Sequence, residues 1–192
     1  MRIAVLDETK NGEPRVAATP ETITKLKGFG ATFAIEKGAG TGASISDAAF
    51  EAAGATIAKN AADALKDADI VLAVRRPKGE LAAKMKSGAI VLAIMDPYGN
   101  AEALQPFADK GIATFAMELM PRITRAQVMD VLSSQANLAG YRAVLDAAEV
   151  YGRAFPMMMT AAGTVPAAKV FVMGAGVAGL QAIATARRLG AI

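Results

Sequence analysis

Apolar runs and amphipathic stretches alternate along the first two-thirds of the chain. The segments RIAVL, at Arg2–Leu6, and DIVLAV, at Asp69–Val74, are short runs rich in β-branched residues, a pattern typical of buried strands. The segment TPETITKLKGFG has helical spacing, with Thr19 as the predicted N-cap and Gly28 or Gly30 as the stop. A strand, a helix and a further strand in this order predict a parallel βαβ unit.

The same alternation continues through the rest of this region. The other predicted strands are ATFAIEKG, TIAKN, AIVLAIM and IATFAMEL, and the other predicted helices are SISDAAFEAAGA, AADALKDA, KGELAAKMKSG and NAEALQPFADKG. The pattern predicts an α/β fold in which helices cover both faces of a parallel, Rossmann-like sheet. We assign this sheet to a first domain that spans about residues 1–135. Ligands of such sheets bind at the carboxyl ends of the strands.

The pattern changes to a long helical stretch from Leu132 to Phe155. Leu138, Tyr141, Leu145 and Ala148 recur at intervals of three and four residues, which predicts one buried stripe. We interpret the helix and the following segment PMMMTAAGTVPAA, predicted to be a loop, as a connection over residues 136–165.

The final segment, residues 166–192, has the pattern of a strand, a glycine turn and a helix. The predicted strand Lys169–Met173 leads into the sequence GAGVAG, which has the G-x-G-x-x-G spacing of dinucleotide-binding turns. Its glycines would allow a tight turn, close approach of the backbone to a diphosphate and close packing of helix on strand. The alternative is a tight turn with no ligand. The predicted cofactor-binding residues here are Gly174, Gly176, Val177, Ala178 and Gly179.

One component of such a site falls outside the sequence. The acidic residue that holds the ribose hydroxyl is expected roughly 20 residues after the turn, which lies beyond Ile192. An apolar strand such as VFVM also needs neighbouring strands. We therefore expect the chain to be the N-terminal portion of a longer protein, with an incomplete second Rossmann domain.

The composition argues against several kinds of functional site. The net charge is +3, and the basic residues are scattered among acidic ones, so we predict no nucleic-acid binding. The chain has neither cysteine nor histidine, which removes thiolate metal ligands and the commonest general base, and we predict no metal site. No apolar run is long enough to span a bilayer.

The segment AMELMPRITRAQVMDVLSSQANLAGYRAV, residues 116–144, resembles a known family. It is similar to the soluble NAD(H)-binding alpha subunits of the proton-translocating NAD(P) transhydrogenases, which share a fold with alanine dehydrogenases. The segment that begins at Phe155 is equally specific for this family, and GEPRVAATPE, KGAGTGASISD and VRRP give supporting likeness. The resemblance thus extends over the entire chain.

This resemblance implies a nicotinamide-holding loop at Arg122, Gln127, Asp130 and Ser133. The arginine, aspartate and serine would hold the carboxamide, and the glutamine would reach the ribose and the facing NADP. The residue types suit these roles, because guanidinium groups donate hydrogen bonds and carboxylates accept them. Helix capping and surface pairing by the same residues are the alternative.

The resemblance also implies partners and a reaction. Hydride would pass directly between NAD(H), bound here, and NADP(H), bound on a partner domain. Membrane-spanning partners would couple this transfer to proton translocation, and the component would form a homodimer on the cytoplasmic face of the inner membrane. Direct hydride transfer needs no protein base, because the cofactors supply the reacting atoms.

Two other functions remain open. One is a nucleotide-binding or interaction fragment without independent activity. The other is alanine dehydrogenase, in which Arg15 would bind the substrate carboxylate, while Arg75 stands in place of a catalytic lysine and Met95 or Asp96 in place of a catalytic histidine. Oxidation of an amino acid needs a proton acceptor, and arginine cannot serve as one. The sequence therefore favours the transhydrogenase.

Overall fold

A computed structural model describes all 192 residues, Met1–Ile192. The chain divides into two compact units, Met1–Pro121 and Arg122–Ile192. The predicted domain boundaries near residues 135 and 165 stay predictions.

The first unit contains a six-stranded sheet in which every neighbouring pair is parallel. Its strands are β1 (Arg2–Val5), β2 (Thr32–Glu36), β3 (Thr56–Ala58), β4 (Ile70–Arg75), β5 (Ile90–Ile94) and β6 (Ala113–Ala116). Their order across the sheet is β3-β2-β1-β4-β5-β6, so the direction of winding reverses between β1 and β4. The prediction of an α/β fold with a parallel, Rossmann-like sheet is confirmed.

Five helices accompany the strands of this unit. They are α1 (Pro20–Lys27), α2 (Asp47–Ala52), α3 (Ala61–Leu65), α4 (Gly79–Ala82) and α5 (Ala101–Asp109). The Thr19 hydroxyl accepts the Thr22 N–H at 3.3 Å and so satisfies one of the free donors at the start of α1. Gly28 follows the last residue of α1 as its C-cap, so both ends of this helix agree with the sequence prediction.

The core of this unit lies on both faces of the sheet. In β1, Ile3 and Val5 belong to one cluster of buried residues, whereas Ala4 belongs to another, as expected for side chains that alternate across a strand. Phe50 of α2 fills the first cluster and Phe107 of α5 the second, and both are fully buried. Burial of each ring contributes roughly 2–3 kcal/mol.

The strand predicted for IATFAMEL is too long. The strand β6 ends at Ala116, and Met117–Leu119 form a 3-10 turn. In this turn the Glu118 carboxylate accepts the backbone N–H groups of Met95, at 3.1 Å, and Asp96. The Glu118 side chain, in the turn after β6, therefore binds the backbone just after the neighbouring strand β5.

The second unit is built around two packed helices, α6 (Val131–Val150) and α7 (Val177–Arg188). The stripe predicted for α6 is wrong at Leu138 and Tyr141, which are 58% and 46% exposed. The buried residues of the helix are Gly140 and Val144. The error arises because α6 packs through a glycine, which hydrophobic periodicity does not count.

The segment between the helices also differs from the prediction. Within the predicted loop, β7 (Met158–Thr160) and β8 (Gly163–Val165) pair as an antiparallel hairpin. The predicted strand Lys169–Met173 is not included in a sheet, although Val170 N–H donates to Ile192 O and Ile192 N–H donates to Ala168 O, each at 2.8 Å. A strand needs a neighbour for its backbone groups, and residues 171–173 have none within the chain. None of the helices combines the length and apolar character required to cross a bilayer.

Candidate nucleotide-binding site

A cleft of about 370 Å³ in the second unit brings together the two segments that the sequence singled out. The residues lining it are Arg122, Leu132, Ser133, Ala136, Met173, Gly174, Gly176, Val177, Ala178 and Gly179. Predicted residues from both the loop and the glycine turn thus line one cleft. Its volume lies in the range of small-molecule sites.

The three glycines of the turn have three different environments. Gly174 has φ +114°, a conformation that residues with a side chain rarely adopt. A Cβ at Gly179 would overlap the carbonyl oxygen of Gly174 and lie 2.8 Å from its carbonyl carbon. A Cβ at Gly176 would meet no atom within 4 Å. The turn therefore needs glycine for conformation at Gly174 and for packing at Gly179, whereas the space beside Gly176 is open.

The helix α7 begins at this turn without a side-chain cap. Its N-cap is Gly176, and the Leu180 N–H donates to the Gly176 carbonyl at 2.9 Å. The amides of Val177, Ala178 and Gly179 precede this first helical hydrogen bond, so they have no acceptor within the helix. Such amides, together with the helix dipole, favour an anionic group at this position.

The start of α6 is held by Asp130 and Ser133. The Asp130 carboxylate accepts the Ser133 N–H at 2.9 Å and the Ser133 hydroxyl at 2.6 Å. These two hydrogen bonds, and to a smaller extent the positive charge of Arg122, lower the pKa of Asp130. Asp130 therefore carries a negative charge at neutral pH. It also caps α6, which is the alternative role that the sequence left open for this residue.

The four residues of the predicted loop are not all brought to the cleft. Arg122 and Ser133 line it, whereas Asp130 reaches it only through its bonds to Ser133. Gln127 is exposed, in the 3-10 segment Thr124–Met129, and is not among the lining residues.

The structure adds three apolar lining residues that were not predicted from the sequence, namely Leu132, Ala136 and Met173. Helical spacing could have found two of them. Ala136 follows Leu132 by four positions and Ser133 by three, so all three residues lie on one side of α6.

A charged cluster in the first unit lies at the ends of β1 and β4. Glu13, which is 3% exposed, accepts Arg15 Nε and Nη2 at 2.7 Å and Arg75 Nε at 2.9 Å. The nearby Glu8 accepts the backbone N–H groups of Val74 at 2.7 Å and Arg75 at 2.8 Å. Neither glutamate was predicted from the sequence, although both lie in the loop DETKNGEPR between β1 and α1.

The two glutamates titrate in opposite directions. Hydrogen bonds from Arg15, with a smaller contribution from Arg75, lower the pKa of Glu13 to about 2. Burial raises the pKa of Glu8, and the two backbone N–H groups that it accepts only partly offset this effect. Arg15 and Arg75 thus share a buried carboxylate at the point where the sheet reverses its winding.

Two side chains, those of Arg76 and Glu118, hold the backbone at the end of β5. The Arg76 guanidinium donates to the Met95 carbonyl and, at 3.0 Å, to the Asp96 carbonyl, while Glu118 binds their N–H groups. Asp96 has φ +46°, an uncommon conformation for a residue with a side chain. Its carboxylate accepts a hydrogen bond from Asn100 at 3.0 Å.

The first unit has a parallel α/β sheet, and the second has a glycine turn at the start of a helix, and both features are found in Rossmann-type dehydrogenases. The chain belongs to the alanine dehydrogenase/PNT family, whose N-terminal domain model matches residues 4–139 and whose C-terminal domain model matches residues 143–192. The family predicted from the sequence is confirmed.

Relatives of the transhydrogenase type are the more similar. An NAD(P) transhydrogenase alpha-subunit polypeptide of Rhodospirillum rubrum is 55% identical, over all of this chain and 51% of the relative. The crystal structure of transhydrogenase from Sinorhizobium meliloti superposes with a TM-score of 0.95 at 61% identity, covering all of this chain and 57% of that one. The alanine dehydrogenase of Halomonas elongata is 33% identical, over all of this chain and 52% of the relative. The chain thus spans about half the length of these relatives.

Proposed function

We propose that this chain is the NAD(H)-binding portion of a proton-translocating NAD(P)+ transhydrogenase. The observation that carries the proposal is the cleft in which Arg122 and Ser133 face the glycine turn. The similarity to transhydrogenase alpha subunits supports the same function.

The residues of the cleft suit the two halves of a dinucleotide. The amides of Val177, Ala178 and Gly179 would receive the diphosphate, because they have no acceptor within α7. Arg122 would donate to the oxygen of the nicotinamide carboxamide, and Asp130 and Ser133 would bind its remaining polar atoms. Gln127 would reach the ribose and the facing NADP.

Direct hydride transfer requires the protein mainly to position the cofactor. When bound, NAD(H) supplies or accepts the hydride. The chain orients the nicotinamide and needs no proton acceptor at the transfer step, which suits a sequence without histidine.

The partners and the domain arrangement belong to the same proposal. NADP(H) would bind on a partner domain, and membrane-spanning partners would couple hydride transfer to proton translocation. The component would act as a homodimer at the cytoplasmic face of the inner membrane. Residues 1–135 would form the first domain, residues 136–165 the connection, and residues 166–192 the start of the NAD(H)-binding domain.

One specific observation favours a second candidate, a nucleotide-binding or interaction fragment without catalysis of its own. Residues 171–173 lead into the glycine turn, yet they have no neighbouring strand within the chain. A glycine turn whose preceding segment has no neighbouring strand would bind a dinucleotide weakly, because ordering the turn would add to the free-energy cost of binding.

Alanine dehydrogenase is less well supported. Arg15 and Arg75, the residues that would face an amino-acid substrate, are both paired with Glu13. A substrate carboxylate would therefore compete with Glu13 for both guanidinium groups. Neither Arg75 nor Arg76 can accept a proton at neutral pH.

Titration of NADH fluorescence tests the leading proposal. We expect saturation below millimolar NADH, and hydride transfer from NADH to NADP+ when the NADP(H)-binding component is added. A lack of saturation at millimolar NADH would support the fragment instead. L-alanine-dependent reduction of NAD+ by this chain would support alanine dehydrogenase instead.

A further inference from the structure

The helices α6 and α7 pack closely against each other at Gly140. This glycine is buried, and a Cβ built on it would overlap the carbonyl oxygen of Ala178 and lie 2.9 Å from the carbonyl carbon and 3.0 Å from Cα. All three atoms belong to the backbone of α7, so no side-chain rotation could relieve the overlap. Only a residue without a side chain allows this contact.

Backbone conformation does not explain the glycine. Gly140 lies in the middle of a helix and is absent from the glycines with positive φ. At such a position glycine costs about 1 kcal/mol relative to alanine. The close contact with Ala178 is therefore the physical reason for a residue that otherwise weakens α6.

The contact joins the two helices, α6 and α7, whose first turns line the cleft. Along α6, Gly140 is seven residues beyond Ser133, or about 10 Å of helix. On the other helix, Ala178 is in the first turn of α7 and lines the cleft itself. One turn away from the contact on each helix, Asn137 Nδ2 donates to Gln181 Oε1 at 3.2 Å.

From this geometry we propose that Gly140 is a positioning residue for the dinucleotide. It sets the separation of α6 and α7, so that Ser133 and the glycine turn are the correct distance apart for one ligand to contact both. This role rests on the proposed NAD(H)-binding function. Alanine at this position would force the helices apart by roughly 1 Å, because carbon and oxygen atoms would otherwise overlap.

The expected consequence differs between the two halves of the ligand. ADP-ribose contains the diphosphate and lacks nicotinamide, so it needs the glycine turn and not Ser133. In the full chain carrying Gly140→Ala, we expect the NADH dissociation constant to rise at least about tenfold, equivalent to 1.4 kcal/mol, and that of ADP-ribose to change less than about twofold. A purely structural loss would weaken both ligands equally.

The matched control is Ala139→Ser. It adds one heavy atom at the neighbouring exposed position of α6, and both dissociation constants should stay unchanged. Equal weakening of NADH and ADP-ribose by Gly140→Ala, or no weakening of either, would overturn the positioning role.

A measurement without ligand separates this proposal from the proposed function. The chain has no cysteine, so a nitroxide on Ala143→Cys labels α6 at one site. Paramagnetic broadening of the Ala178 and Gly179 amide signals should decrease when Gly140→Ala is added, because broadening falls steeply with distance. Unchanged broadening overturns the spacing role, whereas failure of the unsubstituted chain to saturate with NADH overturns the proposed function.

Discussion

Ser133 donates two hydrogen bonds to Asp130, from its backbone N–H at 2.9 Å and from its hydroxyl at 2.6 Å. The pair therefore caps α6 before any ligand is considered. A carboxylate has about four acceptor positions, so Asp130 retains capacity for a carboxamide N–H while it caps the helix. Capping and cofactor binding by these residues are thus compatible, and substitutions can separate them.

Replacement of Ser133 by alanine removes the hydroxyl and leaves the backbone N–H that Asp130 accepts. We expect the dissociation constant for NADH to rise several-fold, while the free energy of unfolding changes by less than about 1 kcal/mol, since the cap remains. Fluorescence titration and urea unfolding would measure the two quantities.

The complementary variant is Asp130→Ser, because serine also caps helices. It should keep most of the stability of α6 and lose the affinity that depends on the carboxylate. If both variants bind NADH as tightly as the unsubstituted chain, these two residues only cap the helix and do not bind the cofactor.

Arg122 and Arg125 provide a matched pair of exposed arginines close together in sequence. Only Arg122 is among the residues that line the cleft. Arg122→Ala should raise the NADH dissociation constant about tenfold, the usual scale for loss of a hydrogen bond from a charged group. Arg125→Ala should leave it unchanged. Equal effects of the two variants would indicate a general charge effect, and unchanged hydride exchange in Arg122→Ala would contradict its assigned role.

Gly179→Ala tests the packing of the turn. A Cβ there would overlap the Gly174 carbonyl oxygen, so the turn must open. We expect a loss of about 1–3 kcal/mol in the free energy of unfolding of the second unit and weaker binding of both NADH and ADP-ribose. Ala184→Ser, a half-buried position of the same helix, is the control. Retention of ADP-ribose affinity in Gly179→Ala would show that the turn does not receive the diphosphate.

The acid stability of the first unit should depend on Glu13. The pKa of Glu13 is lowered from 4.5 to about 2 in the folded protein, so its ion pairs stabilise the fold above the ordinary value and are lost as the pH falls towards 2. We expect about 1–3 kcal/mol from this carboxylate, a range that allows for the exposed arginine partners. Urea unfolding between pH 6 and pH 2 should show a smaller pH dependence for Glu13→Gln than for the unsubstituted chain. The exposed Glu51→Gln serves as control, and parallel curves for all three proteins would refute the assignment.

Local patterns in the sequence predicted the elements of the first unit, because each strand and helix there carries its own signal. Thr19 and Gly28 mark the ends of α1, and continuous apolar runs mark the strands. The glycine spacing and the family resemblance predicted Arg122, Ser133 and the turn, which line one cleft.

Features that depend on packing partners could not be predicted in this way. Gly140 carries no hydrophobic signal, so the buried side of α6 was assigned to Leu138 and Tyr141 instead. The hairpin was missed because neither of its strands has a buried face to produce alternation. Glu13 resembled an ordinary residue of a polar loop, and only the fold brings Arg75 to it.

The charge of the cluster at the ends of β1 and β4 depends on pH, because two glutamates in it titrate in different ranges. Burial raises the pKa of Glu8, whereas the arginines hold the pKa of Glu13 at about 2. On acidification Glu8 therefore takes up its proton first and Glu13 last. The cluster therefore gains positive charge in two successive steps as the pH falls, each caused by a single proton.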